Sequence, residues 1–430
     1  MILYNIILTF AALLAMPLAL PIVLRVKKRR TTVLERLGLR GLPRRPDQSG
    51  PCRKRIWVHA LSVGEVTSAA PLVQRLRRRF PERDIFFSTS TRTGFQTARR
   101  LVSAEVAALF YFPYDLWFSV ARVVRRVSPE IMVIVETDLW PNFLHTMARR
   151  AVPVFLVNAR ISRRSCDGYR RLSFLTRPAF KGLRRVVAPS PADARRWAGL
   201  GVPAGRIVET GNIKFDQPAP EISRAECRRL QGLLKIPTDG TVLVAGSTHE
   251  GEEAILAHAF HQLKAACNGL CFVLAPRDPD RAAAVRRTFL SAGVAATTMA
   301  ELDRGGAAAE AVIVDRIGLL STLYALADLA FVGGSLVARG GHNPIEPAVL
   351  GVPVLFGPHM SDFREIADLL VASGGAIAVP DGPALADAAR PLLADAARRE
   401  AMGRAGRRTV VSHRGAVDRT VALIAEALAP

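Results

Sequence analysis

Cysteine is scarce in this chain, acidic residues are outnumbered, and several familiar catalytic loops are missing. The five cysteines, Cys52, Cys166, Cys227, Cys267 and Cys271, are odd in number. Their spacing fits neither a disulfide framework nor a zinc site, and the step from Cys267 to Cys271 is too long for Cys-x-x-Cys. All five therefore read as reduced thiols in a reducing compartment. The absence of a Gly-x-x-x-x-Gly-Lys-Ser/Thr loop excludes a P-loop NTPase, and the absence of a Gly-x-Ser-x-Gly elbow excludes that route to a serine hydrolase. No acidic pair is expected to hold a metal diphosphate. His258 and His261, three apart on a predicted helix, have no companion ligands, so no metal is expected. No short-period repeat or long low-complexity tract appears.

The acid deficit is informative. With 59 Lys and Arg against 37 Asp and Glu, the formal charge is +22. Such an excess implies an anionic partner: nucleic acid, anionic lipid or a phosphorylated substrate. The length, 430 residues, suggests two domains of roughly 200 residues.

Residues 2–26 form an apolar run broken only by Asn5, Arg25 and small residues, and Val26-Lys27-Lys28-Arg29-Arg30 follows. About 20 helical residues cross a hydrocarbon core, and basic flanks stay on the cytoplasmic side. A cleaved signal peptide would carry its charge before the apolar run. The run is therefore expected to be an anchor over 1–30, basic flank included, spanning the membrane or lying in it. The rest of the chain would then be cytoplasmic.

Beyond it, short β-rich runs alternate with helical patterns. The expected strands are 55–61, 84–90, 106–112, 131–137, 152–158 and 185–189 in the first half. The second half gives 241–246, 271–276, 311–315, 329–333, 353–356 and 376–379. Such alternation predicts parallel sheets covered by helices on both faces. The expected division is an acceptor-side domain at 31–216, a linker at 217–240, a nucleotide-side domain at 241–410 and a terminal helix at 411–430. Ligands on such sheets sit beyond the carboxyl ends of the strands, so two facing units would enclose a cleft.

Residues at those strand ends are the site candidates. Residues 331–358 carry Gly333-Gly334-Ser335, then Arg339-Gly340-Gly341-His342, then Asn343-Pro344-Ile345-Glu346. Asn at the N-cap, Pro at the first helical position and Glu behind it predict a helix start, whose free N–H groups suit a phosphate. Asn-x-x-Glu is also a capping box that needs no ligand; the two glycine pairs favour a nucleotide. Gly246-Ser247-Thr248-His249, with Glu250 three after Ser247, is read in the same two ways, as a capping box or as phosphate contacts. Pro276-Arg277 follows another strand, where Arg277 would meet a phosphate or a base, or simply solvent. In the first half Gly64-Glu65 stand at a strand-to-helix turn, where Glu65 either completes a capping box with Ser62 or does chemistry. Glu136 ends a buried strand, Arg160, Arg163 and Arg164 end the next, and Lys214 precedes the linker.

These motifs, in this order, are similar to those of the 3-deoxy-D-manno-octulosonic acid (Kdo) transferases, glycosyltransferase family 30. The matching stretches are Ser62–Glu65, Pro113–Leu116, Glu136–Asn142, Asn158–Ser162, Gly211–Asp216, Ser247–Glu253, Pro276–Arg281 and Phe331–Pro347. The resemblance implies a GT-B fold of two Rossmann-like domains and an enzyme of lipopolysaccharide biosynthesis at the bacterial inner membrane. It implies CMP-Kdo as donor and the lipid A precursor, lipid IVA, as acceptor, with membrane lipids as neighbours and no nucleic acid partner. It also implies Glu65 as catalytic base, Glu136 and Lys214 as transition-state support, and Pro276, Arg277, Ile317, Gly318, Leu319, Asn343, Pro344, Ile345 and Glu346 around CMP. Ser247, Thr248, His249, Gly333 and Gly334 are candidate donor-phosphate contacts; Gly64 and Arg160 are candidate acceptor contacts. Leu319 stands where the family usually has Glu, so a side-chain hydrogen bond is lost there. CMP leaves with one phosphate, so direct displacement with inversion needs no metal or other cofactor. The alternatives are a UDP-sugar transferase of the same fold and a basic membrane-tethered binding protein.

Overall fold

The computed structural model describes residues 4–8, 10, 14, 17, 27–41, 53–136, 138–237, 239–265, 267 and 269–429. The expected anchor at 2–26 falls largely outside these residues. Among the described residues no helix is long and apolar enough to cross a membrane. Tyr4 and Asn5, at the start of that run, are tied to the first unit: the Tyr4 hydroxyl donates to Asp115 at 2.9 Å and Asn142 donates to Asn5 at 2.7 Å.

The chain divides into two compact units, residues 1–217 with 413–430, and residues 218–412. The first contains β1 Arg55–His59, β2 Asp84–Thr89, β3 Ala108–Tyr111, β4 Ile131–Val135, β5 Val154–Val157, β6 Leu183–Ala188 and β7 Ile207–Glu209. They pair in parallel in the order β3-β2-β1-β4-β5-β6-β7. Consecutive strands build outward from β1 to one side, and β4 restarts on the other. The strand order therefore reverses between β1 and β4, which hydrogen-bond with Val58 opposite Val133. Strands buried on both faces need no polar alternation, and Ile-Met-Val-Ile-Val in β4 is buried throughout. Val58, Val133 and Phe155 pack to one face; Trp57, Met132 and Leu156 pack to the other.

The second unit contains β8 Thr241–Thr248, β9 Leu270–Pro276, β10 Ala296–Thr298, β11 Ala311–Ile313, β12 Leu329–Val332, β13 Val354–Phe356 and β14 Ala376–Ala378. These also run parallel, in the order β10-β11-β9-β8-β12-β13-β14. Here the reversal lies between β8 and β12, where Gly246 is opposite Val332.

The boundaries differ from the expectation in two places. Residues 218–240 are no bare linker: the helix Arg224–Leu233 packs Leu230 into the core of the second unit, beside Leu234 and Ile236. The chain end belongs to the first unit. The helix Ala416–Leu428 buries Val417, Val421 and Ile424 with Val66 and Val73 of the helix Val63–Arg79. Asp216 fixes it, accepting from Gly415 N at 2.5 Å and Val417 N at 2.6 Å. The four described cysteines, Cys166, Cys227, Cys267 and Cys271, are free thiols.

Candidate functional site

In open parallel sheets ligands gather where strand order reverses. In the first unit that point is flanked by the segments leaving β1 and β4, which carry Glu65 and Glu136. The β1 segment turns into the helix Val63–Arg79 with Ser62 at its N-cap, yet the Ser62 side chain makes no capping bond to the backbone. Glu65 instead accepts from Leu61 N at 2.6 Å, and the Ser62 hydroxyl lies at a long 3.5 Å. The reciprocal capping box that would have explained Glu65 without chemistry is therefore not formed.

Burial first, and then the negative charges of Glu136 and Asp138, push the Glu65 carboxyl up from 4.5 to about 8; the Leu61 N–H and Lys214 pull the other way. Glu136 sits just past β4 in the left-handed region, at φ 63°, a conformation that costs a non-glycine residue energy and recurs at functional sites. Its carboxylate meets the Lys214 ammonium at 3.3 Å, with the lysine nearly buried. Glu65, Glu136 and Lys214, three of the predicted residues, thus form one cluster.

Gly64 is exposed, and a Cβ there would meet nothing within 4 Å. It leaves open space beside Glu65. Arg160 is half-buried two residues beyond Asn158 at the end of β5, and Arg163 and Arg164 are exposed on the helix Arg163–Arg171.

The cluster has a support that the sequence reading missed. The fully buried His59 ends β1, stacks on Phe112 at 4.0 Å, and joins Asp138 through Nε2 at 2.7 Å and Ser88 O through Nδ1 at 2.9 Å. Asp138, two residues after Glu136, is thereby fixed where its charge reaches Glu65. Both lie inside stretches that were legible as strand ends; a histidine in an apolar strand gave no sign of which acid it would meet.

In the second unit the reversal point brings together the ends of β8 and β12. Ser247 has φ 59°, and no capping box forms with Glu250. The helix starts later, at Glu252–Lys264, and the fully buried Glu252 organises the junction. Its carboxylate accepts from His249 N at 2.9 Å, Gly334 N at 2.7 Å, Ser335 N at 2.9 Å and Leu336 N at 2.9 Å.

This changes several predicted phosphate contacts. The N–H of Gly334 is occupied by Glu252, and that of Gly333 donates to Gly246 O at 2.9 Å. Thr248 is buried, its hydroxyl directed to Glu253 at 3.4 Å. The glycines are required by the chain itself: a Cβ on Gly333 would strike Ser247 O at 2.5 Å, and one on Gly340 would reach the Asp362 carboxylate at 2.7 Å. They are therefore not a mark of a ligand.

His249 does remain at the junction. Its Nε2 lies 2.9 Å from Nε2 of His342, the two rings being nearly coplanar at 3°. Burial, followed by Arg277 and then His249, lowers His342 to about 4; burial also lowers His249.

Asn343 accepts from Ile345 N at 3.1 Å and donates to Glu346 at 3.3 Å. The helix it opens is only Ile345–Val349, with Pro344 as its cap residue, so its dipole offers a phosphate little. Burial holds the Glu346 carboxyl above its ordinary value against Asn343 and Arg277. Pro276 is buried at the end of β9, and Arg277 projects beyond it, exposed, its backbone N–H bound to Thr248 O. Ile317, 80 % exposed, and Gly318, at φ 93°, lie in the loop after β11, ahead of half-buried Leu319. Asp278-Pro279-Asp280 does have the Asp-x-Asp spacing, but the Asp278 side chain is turned to Asp280 N, 3.2 Å away.

Two parallel-sheet α/β units, each with polar side chains gathered at its switch point, define the class: a GT-B-like fold. Over 87 % of this chain and 99 % of the other, the structure superposes on a UDP-GlcNAc 2-epimerase from Neisseria meningitidis with a TM-score of 0.61 at 14 % identity, a likeness of fold alone. The family model described as 3-deoxy-D-manno-octulosonic-acid transferase (kdotransferase) matches residues 31–217. The chain is 33 % identical over 396 residues to a 3-deoxy-D-manno-octulosonic acid transferase of Haemophilus influenzae, covering 92 % of this chain and 91 % of that protein. It is 34 % identical over 380 residues to that of Bordetella pertussis, covering 86 % and 87 %. The chain belongs to the Kdo transferase family, and so to the glycosyltransferases.

Proposed function

We propose that the protein transfers Kdo from CMP-Kdo to the lipid A precursor at the cytoplasmic face of the inner membrane, by inverting, metal-independent displacement with Glu65 as general base. The observation that carries the reading is Glu65 itself: a carboxyl pushed up to about 8, at a strand-order reversal, with open space at Gly64 beside it. A base works best when its pKa lies near the operating pH, and an ordinary exposed carboxylate would hold a proton too weakly. As the acceptor hydroxyl attacks the anomeric carbon, Glu65 takes its proton, and the bond from that carbon to the phosphate oxygen breaks. Lys214, balanced by Glu136, offers fixed positive charge to the negative charge that develops.

CMP departs on a single phosphate, so cations of the protein suffice to hold it. The Arg277, Ile317–Leu319 and Asn343–Glu346 segments of the second unit would take the nucleotide. In this reading exposed Ile317 becomes covered when the nucleotide docks, and Leu319 contributes backbone rather than a side-chain hydrogen bond. The apolar run at 2–26 and the basic residues after it would anchor the chain and attract the acceptor's phosphates.

Mass spectrometry of the lipid product after incubation with CMP-Kdo and the lipid A precursor tests the whole reading; a product heavier by one or more Kdo units is expected. Thermal shift with CMP against UDP tests the donor, and stabilisation by UDP alone would refute it.

A further inference from the structure

The donor reading leaves unexplained why two half-buried histidines face each other at the second unit's switch point. A neutral imidazole carries one N–H and one bare nitrogen. At 2.9 Å between Nε2 atoms, one histidine must donate and the other accept, so one hydrogen lies on that axis. The pair also tolerates one added proton: the donor ring becomes an imidazolium, its Nδ1 takes the new hydrogen, and the Nε2–H···Nε2 bond becomes charge-assisted and stronger. A second added proton would put two hydrogens on the same axis and break the contact. The geometry thus admits a net charge of zero or one.

The surroundings are set against the charge. Arg277, from the segment after β9, and Arg339, from the loop after β12, repel it, and burial adds to both. Glu252 and Glu253, at the start of the following helix, attract it, but Glu252 is engaged by four backbone N–H groups and Glu253 by Arg281 at 2.7 Å. Gly334 makes the placement possible, since a Cβ there would lie 3.1 Å from the His342 ring and 3.4 Å from that of His249.

Resting on the reading that a nucleotide docks at this switch point, we propose that His249 and His342 act as a single proton-acquiring anion receptor: the phosphate of the bound nucleotide draws one proton from solvent into the pair, which then carries one positive charge shared across the Nε2–Nε2 contact. An anion offsets the repulsion from Arg277 and Arg339, so the protonated pair and the phosphate stabilise each other. The effect is larger for CMP, a phosphate monoester dianion near neutral pH, than for the singly charged phosphodiester of the donor. The pair therefore favours the state in which the glycosidic bond has broken and its electrons rest on the phosphate, which is the differential binding that accelerates a step.

The test is calorimetric titration of the full chain with CMP at pH 7, in buffers of differing ionisation enthalpy, together with CMP affinity at pH 6.5, 7.5 and 8.5. Uptake of close to one proton per CMP is expected, with affinity rising as pH falls, by up to about tenfold per unit. Titration of the CMP phosphate itself acts in the opposite sense, since its monoanion prevails below about pH 6. His342→Asn and His249→Asn should each abolish most of the uptake. The wild-type affinity profile needs no variant, so the test stands even if either variant fails to fold. CMP binding without proton uptake and with pH-independent affinity would overturn the receptor while leaving the donor site in place. Absence of CMP binding would overturn the donor site, and the receptor with it.

Discussion

Replacing Glu65 by Gln should cost activity and add stability, and the two effects share one cause. The amide oxygen of Gln can still accept from Leu61 N, so the local geometry has no reason to change. What is lost is the base, whose contribution to proton transfer is typically about 10²–10⁴-fold. What is gained follows from linkage. An unfolded Glu65 ionises through 4.5, whereas the folded one holds its proton until about 8. Across that window the unfolded state loses a proton that the folded state keeps, so wild-type stability falls as pH rises from about 4.5 to about 8. At about 1.36 kcal/mol per unit, the loss at pH 7 is on the order of 3 kcal/mol before solvent at the mouth of the site screens it. The Gln variant escapes this loss. Paired thermal melts at pH 5 and pH 8, with product formation followed by mass spectrometry, should show the variant nearly level with wild type at pH 5, clearly more stable at pH 8, and close to inactive throughout. A variant with native turnover, or one whose stability relative to wild type is the same at both pH values, would refute the reasoning.

The pH–rate profile of kcat/KM should rise about tenfold per pH unit on its acid side and level off near pH 8; Glu136→Gln, which removes the largest charge raising Glu65, should move that limb to lower pH. Glu252→Ala should leave four N–H groups without an acceptor, the buried ones of Gly334 and Ser335 at roughly 1–3 kcal/mol each, so a melt near that of wild type would contradict the role given to Glu252. Gly334→Ala should both destabilise the second unit and weaken CMP binding, because φ is 69° there and the new Cβ meets both imidazoles; unchanged CMP affinity would show that the rings need no fixed position. A form lacking residues 1–30 should still bind anionic vesicles and should be released by salt, each basic residue near the surface contributing about 1 kcal/mol; salt-indifferent binding would count against the electrostatic part.

The strands were legible because buried parallel strands are continuous apolar runs, as at Ile131–Val135 and Leu329–Val332. Ile207–Glu209 and Ala296–Thr298 were not, since each is a three-residue edge strand with a polar member and too short to show a pattern. Glu65, Glu136 and Lys214 could be picked out because each follows a strand or precedes a domain boundary. Glu252 could not. Ser247-x-x-Glu250 fits a capping box on spacing, and only the left-handed turn at Ser247, which delays the helix to Glu252, shows that a different acid holds the junction. The place of the terminal helix depended on Asp216, about 200 residues earlier, and no local pattern carries that distance.

Glu65 and Glu252 occupy corresponding places, each in the segment that follows the first strand of its sheet, yet they serve opposite ends. A carboxylate has about four lone-pair sites. In Glu252 four backbone N–H groups fill them, so nothing remains to take a substrate's proton; the acid is a structural clasp, holding the β12 loop where His249 and His342 can meet. In Glu65 one N–H binds Oε2 and a distant hydroxyl approaches Oε1, so fewer of its lone-pair sites are filled by the backbone. Hydrogen-bond supply at the strand end therefore separates the two roles, in step with burial, which is complete at Glu252 and partial at Glu65. The same test applies to Asp216, whose two oxygens hold Gly415 N and Val417 N: it is conspicuous in the motif beside Lys214, but its bonding makes it a clasp for the terminal helix, whereas Lys214 pairs with Glu136 beside Glu65.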